Sequence, residues 1–287
     1  MSSGLSSSPS FAVAFGGGGA RGLAHIHAIE ALDELGIRPL AIAGSSIGAI
    51  MGAGMAAGMS GRDIHDFTRS VLGSPAEVAS RMWRSRSGTF AEVMRHGLRI
   101  GQFDIEGILR AFLPDRLPER FADLAIPLKV TATDYFGHEP VVFLEGELRS
   151  ALAASAAIPA VFRPVRREGR LLIDGGIYNP VPFDVIAGAA ELIIAIDVVG
   201  GPVANGERAP NAIELMLGAT QLMMQSITAA KLVQCRPHIM LRPPVSRFRT
   251  LVFLKVEAVL AETLPLKEQL KRAVESAVEA RRLTAGG

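Results

Sequence analysis

Short apolar runs alternate with stretches of helical spacing from Phe11 onward. Residues 11–15 are apolar throughout and run into four glycines, which predicts a buried strand. Residues 20–35 place Leu23, Ile26, Ile29 and Leu32 at helical intervals and stop at Gly36, a residue suited to a C-cap. Residues 40–43 predict a second short strand and residues 47–59 a helix. Strand, helix, strand, helix in that order predicts an α/β fold: a mostly parallel central sheet with helices on both faces.

The pattern continues downstream. Ser60, with Asp63 three positions on, predicts a helix start, and that helix runs to about residue 72. Asp104 fits the N-cap of a helix over 105–113, stopped by Pro114. Strands are predicted at 128–133, 141–144, 171–173 and 192–199, with a further one at 238–241. Helices are predicted at 148–157, 183–189 and 213–233. Leu266, Leu270, Val274 and Val278 make a stripe on a charged C-terminal helix, which predicts an amphipathic helix closed over the core. No internal repeat or linker divides the chain, so residues 11–287 are expected to form one domain. Residues 1–10 are Ser-rich and carry no Lys or Arg; they read as a disordered tail, not a secretory leader.

Residues 40–60 carry no charge and are long enough to cross a bilayer. Gly44, Gly48, Gly52, Gly54 and Gly58 crowd that stretch, so a buried strand followed by a buried helix is the better reading. The formal net charge of +2 gives no whole-chain attraction to nucleic acid. The single cysteine, Cys235, rules out an internal disulfide and fits a reducing, cytoplasmic setting.

Three motifs carry chemistry. Gly44-Ser45-Ser46-Ile47-Gly48 is a G-x-S-x-G placed between a strand and a helix. In that context a sharp turn exposes the serine hydroxyl at a helix N-terminus, where free amides favour developing negative charge. Without that context it would be an ordinary Gly/Ser turn. Gly16-Gly17-Gly18-Gly19-Ala20-Arg21-Gly22 follows the first strand. It lacks the Lys-Ser or Lys-Thr of a P-loop, and the second strand lacks the acid a dinucleotide site needs. The remaining reading is an oxyanion hole built from backbone amides. Arg21 has no nearby acid, the first in the chain being Glu30. It suits either an anionic ligand or plain solvent exposure. Asp174-Gly175-Gly176 ends an apolar strand and fits either a tight turn or a catalytic base with room beside it.

Together these motifs, with Ala154-Ser155-Ala156-Ala157-Ile158-Pro159, resemble the patatin-like phospholipase family, in particular its small bacterial members. The resemblance runs from about residue 11 to residue 199. It implies a single patatin-like domain and a serine acyl-ester hydrolase acting on lipid or other acyl esters through an acyl-enzyme. Ser46 would be the nucleophile and Asp174 the base of a Ser–Asp dyad. Gly17, Gly18, Gly19 and the amide of Ile47 would hold the oxyanion, with Arg21 beside them. Neither a metal nor any other cofactor is implied. The rival among enzymes is an α/β-hydrolase triad completed by His238, the sole histidine after the candidate acids Asp174 and Asp197. The rival of another class is a non-catalytic lipid-binding protein.

Two further expectations concern lipid. Arg81, Arg84, Arg86, Arg95 and Arg99 surround Trp83, Met82 and Met94, which suits a lid at about 73–103 making peripheral contact with an anionic membrane. Met51, Met55 and Met59 share a helix face and fit either ordinary core packing or an acyl channel.

Overall fold

The computed structural model describes residues 8–85, 103–204 and 209–285. Strands β1 (Phe11–Phe15), β2 (Ala41–Ser45), β3 (Leu128–Asp134), β4 (Glu139–Phe143), β5 (Val165–Arg167), β6 (Arg170–Asp174), β7 (Leu192–Ile196) and β8 (Ile239–Leu241) form one sheet. Its larger part, β3-β2-β1-β7-β8, is parallel. The remaining pairings, β3 with β4, β3 with β6 and β5 with β6, are antiparallel.

The two faces of the sheet carry different side chains because strand residues alternate. Phe11, Val13 and Phe15 of β1, Ile42 of β2, and Ile194 and Ile196 of β7 point to one face. That face is covered by α1 (His25–Glu34), α2 (Ile47–Ala56), α3 (Gly61–Leu72), α5 (Ile105–Phe112), α6 (Leu148–Ser155), α8 (Val256–Thr263) and α9 (Leu266–Ala285). The helix α4 (Pro75–Ser85) packs beside α3 and α5. Ala12, Ala14, Ala41, Ala43 and Ala195 point the other way, under Val181, Phe183 and Ile186 and against α7 (Ala212–Gln234). The small alanines let that covering segment lie close to the sheet.

The registers on β3 bring two distant strand ends together. β4 lies along β3 over 130–134, overlapping the stretches of β3 that pair with β2 and with β6. β2 and β6 therefore share the opposite edge of β3 and meet head to head along it. Ser45 pairs with Thr131 and Asp174 pairs with Ala132, so the two strand ends abut at adjacent β3 residues.

Most sequence expectations hold, and the departures have local causes. Ser60 and Asp63 form the reciprocal capping box of α3. Asp104 precedes α5 without a side-chain cap bond. The first helix is split: residues 19–24 form a 3-10 turn, and the α-helix begins at His25. Gly19 has φ +59° there, in the left-handed region, which no regular helix start accommodates. Residues 183–189 give a 3-10 turn at Asp184–Ile186 instead of a helix. The uncharged stretch 40–60 is a strand followed by a helix, and no described helix is long and apolar enough to cross a membrane. Residues 1–7 of the expected tail and 86–102 of the expected lid, with Arg86, Arg95, Arg99 and Met94, lie outside the described residues, as do the side chains of Met82, Trp83 and Arg84.

Candidate active site

Ser46 stands between β2 and α2 with φ 54° and ψ −126°, a conformation side-chain-bearing residues rarely adopt. Strain of that kind costs on the order of 1–3 kcal/mol and persists only where the surroundings enforce it. Two contacts enforce it here. A Cβ on Gly48 would collide with the Phe15 carbonyl, so α2 can start this close to β1 only with glycine there. The Ser46 amide also donates to the Ser155 hydroxyl at 2.8 Å, both groups being buried. Ser155 ends α6 and belongs to the Ala-Ser-x-x-x-Pro block; its position in that block was legible, its task was not.

The Ser46 hydroxyl donates to Asp174 Oδ2 at 2.7 Å. Asp174 Oδ1 accepts the Gly176 amide at 2.7 Å, which fixes the carboxylate plane. Asp174 is 6% exposed. Burial raises its pKa from 3.8 to about 6, against the smaller opposing effects of the bonds from Ser46 and Gly176. The carboxylate is thus a stronger base than an ordinary Asp and still ionised at neutral pH.

The glycine loop passes beside Ser46; a Cβ on Gly17 would stand 3.2 Å from the Ser46 Cβ. Its amides are not equivalent. The Gly17 amide donates to the Pro180 carbonyl at 2.8 Å and is therefore not available to an oxyanion, contrary to the sequence expectation. Among the described residues, the amides of Gly18 and Gly19 meet no protein acceptor. The Ile47 amide lies in the first turn of α2, where helical amides lack intrahelical partners.

Arg21 corrects the sequence reading more fully. It is neither exposed nor directed at a ligand, but 3% exposed. Its guanidinium donates to the carbonyls of Phe248 (2.7 Å), Val199, Ser246 and Gly201. Burial lowers its pKa to about 10, leaving it charged at neutral pH. It ties the glycine loop to two distant loops. His25 works on the same loop from behind. Buried and held neutral, with its pKa lowered to about 4 by burial, it donates from Nε2 to the Gly16 carbonyl at 2.8 Å. In the sequence His25 stands two residues from His27, a spacing that places the pair on different sides of a helix and gives no sign of this bond.

His238 lies elsewhere. Its Nδ1 accepts the Ile193 amide at 3.0 Å, near the start of β7, whereas Ser46 and Asp174 lie where β2 and β6 end. Among the described residues, no three of His, Cys, Asp and Glu gather as metal ligands.

Two cavities meet at Ser46. The larger, of about 420 Å3, has apolar walls that include Ile47, Met51, Met59, Ile108, Leu109 and Phe162. Met51 and Met59 thus line a cavity, while Met55 packs in the core. The smaller, of about 100 Å3, touches Gly18, Gly19 and Asp174 and is closed by Gln221, Met224 and Thr250.

The fold and site define a class: a mixed α/β protein with a serine at a strained strand-to-helix turn, a buried carboxylate against it and a glycine loop beside it. Residues 13–187 match the Patatin-like phospholipase family, and the chain belongs to that family. It is 39% identical over 206 residues to an uncharacterized NTE family protein of Mycobacterium bovis, covering 70% of this chain and 53% of the relative. It is 29% identical over 193 residues to Lysophospholipase NTE1 of Mycosarcoma maydis, covering 66% of this chain and 10% of that protein. The chain thus spans about half the length of the first of these relatives and a tenth of the second. Among solved structures, VipD from Legionella pneumophila shares the fold, with a TM-score of 0.51 and 15% identity over 94% of this chain and 67% of that one.

Proposed function

We propose that this chain is a serine acyl-ester hydrolase of lipid esters working through a Ser46–Asp174 dyad. The observation that carries the reading is the 2.7 Å bond from the Ser46 hydroxyl to a buried carboxylate whose pKa lies near 6. Asp174 takes the hydroxyl proton as Ser46 Oγ attacks the acyl carbonyl. The negative charge that moves to the carbonyl oxygen is held by the amides of Gly18, Gly19 and Ile47. When the tetrahedral intermediate collapses, protonated Asp174 gives its proton to the departing alkoxide, leaving an acyl-Ser46. Asp174 then takes a proton from water as the water attacks the acyl carbon. Collapse releases the carboxylic acid, and the proton returns to Ser46.

The apolar cavity of about 420 Å3 supports a fatty acyl group as substrate, its volume lying within the roughly 300–1,000 Å3 of small-molecule sites. The single patatin-like domain over 11–287 belongs to this proposal. The test is covalent labelling by a fluorophosphonate alongside turnover of a soluble short-chain ester. Wild type is expected to do both, and Ser46→Ala neither. Wild-type protein inert to both reagents would leave the non-catalytic lipid-binding reading in its place.

A further inference from the structure

The helix α7 packs Met224 and Leu232 against the core yet also carries large apolar side chains on its outer face. In a surface helix of a soluble protein the apolar stripe faces the core and the polar residues face water. Here Gly218, Gln221 and Thr228 are buried, while Leu215, Met216, Leu222 and Met223 are 61%, 45%, 54% and 58% exposed. The buried polar groups are provided for: Gln221 Nε2 donates to Thr250 Oγ1 at 2.6 Å, and Thr228 Oγ1 donates to the Met224 carbonyl at 2.9 Å. The outer face carries no charge at all from residue 215 to residue 230, between Glu214 and Lys231.

This face is continuous with the active site. Met216 lines the smaller cavity at Ser46 and is also half exposed. Leu251, next to Thr250, lines the larger cavity and reaches the surface as well. Val203, exposed, follows Pro202, which packs against Gly218 of α7.

We propose that the outer face of α7 is the surface by which the protein docks on neutral aggregated lipid, delivering acyl chains to the cavities beside it. The part of this that concerns delivery rests on the hydrolase reading above. Three observations select lipid as the occupant. The face is uncharged over four turns, complementary to an uncharged apolar phase and not to a charged partner. The four large side chains expose on the order of 450 Å2, the size of the largest apolar patch on a typical monomer, which is often functional. That is well short of the roughly 800 Å2 per partner that a stable dimer buries, yet sufficient for a helix lying in the plane of a lipid interface. Finally, the patch borders the smaller cavity at Ser46, which Met216 lines.

The experiment compares wild type with Leu222→Glu/Met223→Glu, two residues that line neither cavity, and with the milder Leu222→Gln/Met223→Gln. Circular dichroism reports folding. Co-sedimentation with phosphatidylcholine vesicles is measured at low and at high salt, together with hydrolysis of a long-chain neutral ester carried in those vesicles and of a soluble short-chain ester. Wild type is expected to bind regardless of salt. The Glu variant is expected to lose binding and vesicle-ester hydrolysis by about tenfold or more, the Gln variant by less, because binding scales with the apolar area inserted. Both should hydrolyse the soluble ester as wild type does. No vesicle binding by wild type, or equal binding by a folded Glu variant, overturns the proposal. So does a wild-type dimer on gel filtration that the Glu variant splits, since the face would then belong to a second copy. An inert wild type toward the soluble ester would instead overturn the hydrolase reading, and vesicle binding would still report on α7.

Discussion

Replacing Asp174 by Asn gives a stability signal that can be worked from the structure. The carboxyl titrates at about 6 in the folded protein and near 3.8 when free in solution. Above pH 6 the group is ionised in both states, and the folded state alone bears the cost of a buried charge. At about 1.4 kcal/mol per pH unit of difference, that cost is about 3 kcal/mol at pH 8. At pH 5 the folded protein holds the proton and the unfolded chain does not, so the cost falls to roughly half. Below 3.8 it vanishes. The sign follows: a raised carboxyl pKa makes the wild type lose stability as pH climbs from about 4 through 6. Asp174→Asn removes the ionisation and loses some of the bonding to Ser46 and Gly176. That loss is a roughly constant offset of about 1 kcal/mol. All other titrating groups are shared, so their contributions cancel in the difference. Urea unfolding of both proteins at several pH values between 5 and 8 is the assay. The variant should gain on wild type by about 1.5 kcal/mol across that range, while losing ester hydrolysis. A difference that stays flat with pH would refute the reasoning, because Asp174 would then not titrate where burial places it.

Four other outcomes are expected. The kcat/KM of wild type should climb about tenfold per pH unit below 6 and level off above 7, since Asp174 must be ionised to act as base; pH–rate profiles check this. Ser155→Ala strands the buried Ser46 amide, and should cost roughly 1–3 kcal/mol in unfolding measurements and lower kcat by about tenfold or more. Ile108→Trp should fill part of the larger cavity and depress hydrolysis of long-chain esters by about tenfold relative to short-chain ones, read from a chain-length series. His238→Ala should retain activity within about twofold and lose roughly 1 kcal/mol of stability, the worth of its bond to the Ile193 amide.

What the sequence disclosed was local, and what it concealed was the meeting of distant segments. The Ser46 turn was legible because its glycines, the preceding strand and the following helix all lie within about ten residues. Asp174 was legible as a strand-end acid, but its contact with Ser46 depends on both strands pairing with β3. Arg21 was misread because its four acceptors come from 199–201 and 246–248, which no local pattern connects to residue 21. Gly17 was included in the oxyanion hole because a run of glycines does not reveal which amide a neighbouring loop will take. The helix α7 was read correctly as a helix, but an apolar run does not say which side faces water, and here large apolar side chains lie on both sides.

The head-to-head arrival of β2 and β6 on β3 also governs when reactivity can appear during synthesis and folding. Ser46 and Asp174 are 128 residues apart in the chain, and the strand that brings them together lies between them. A nascent chain that has emerged only as far as β3 has neither Ser155 to brace the serine turn nor a carboxylate to take the Ser46 proton. Local folding of the N-terminal half cannot supply the base, and neither can a collapsed intermediate in which β6 is undocked. If the proposed dyad holds, ester-cleaving ability should emerge as a step when β6 docks on β3, not as a gradual rise with helix content. On the proposed dyad, the Ser46 hydroxyl stays unarmed until the ends of β2 and β6 abut on β3.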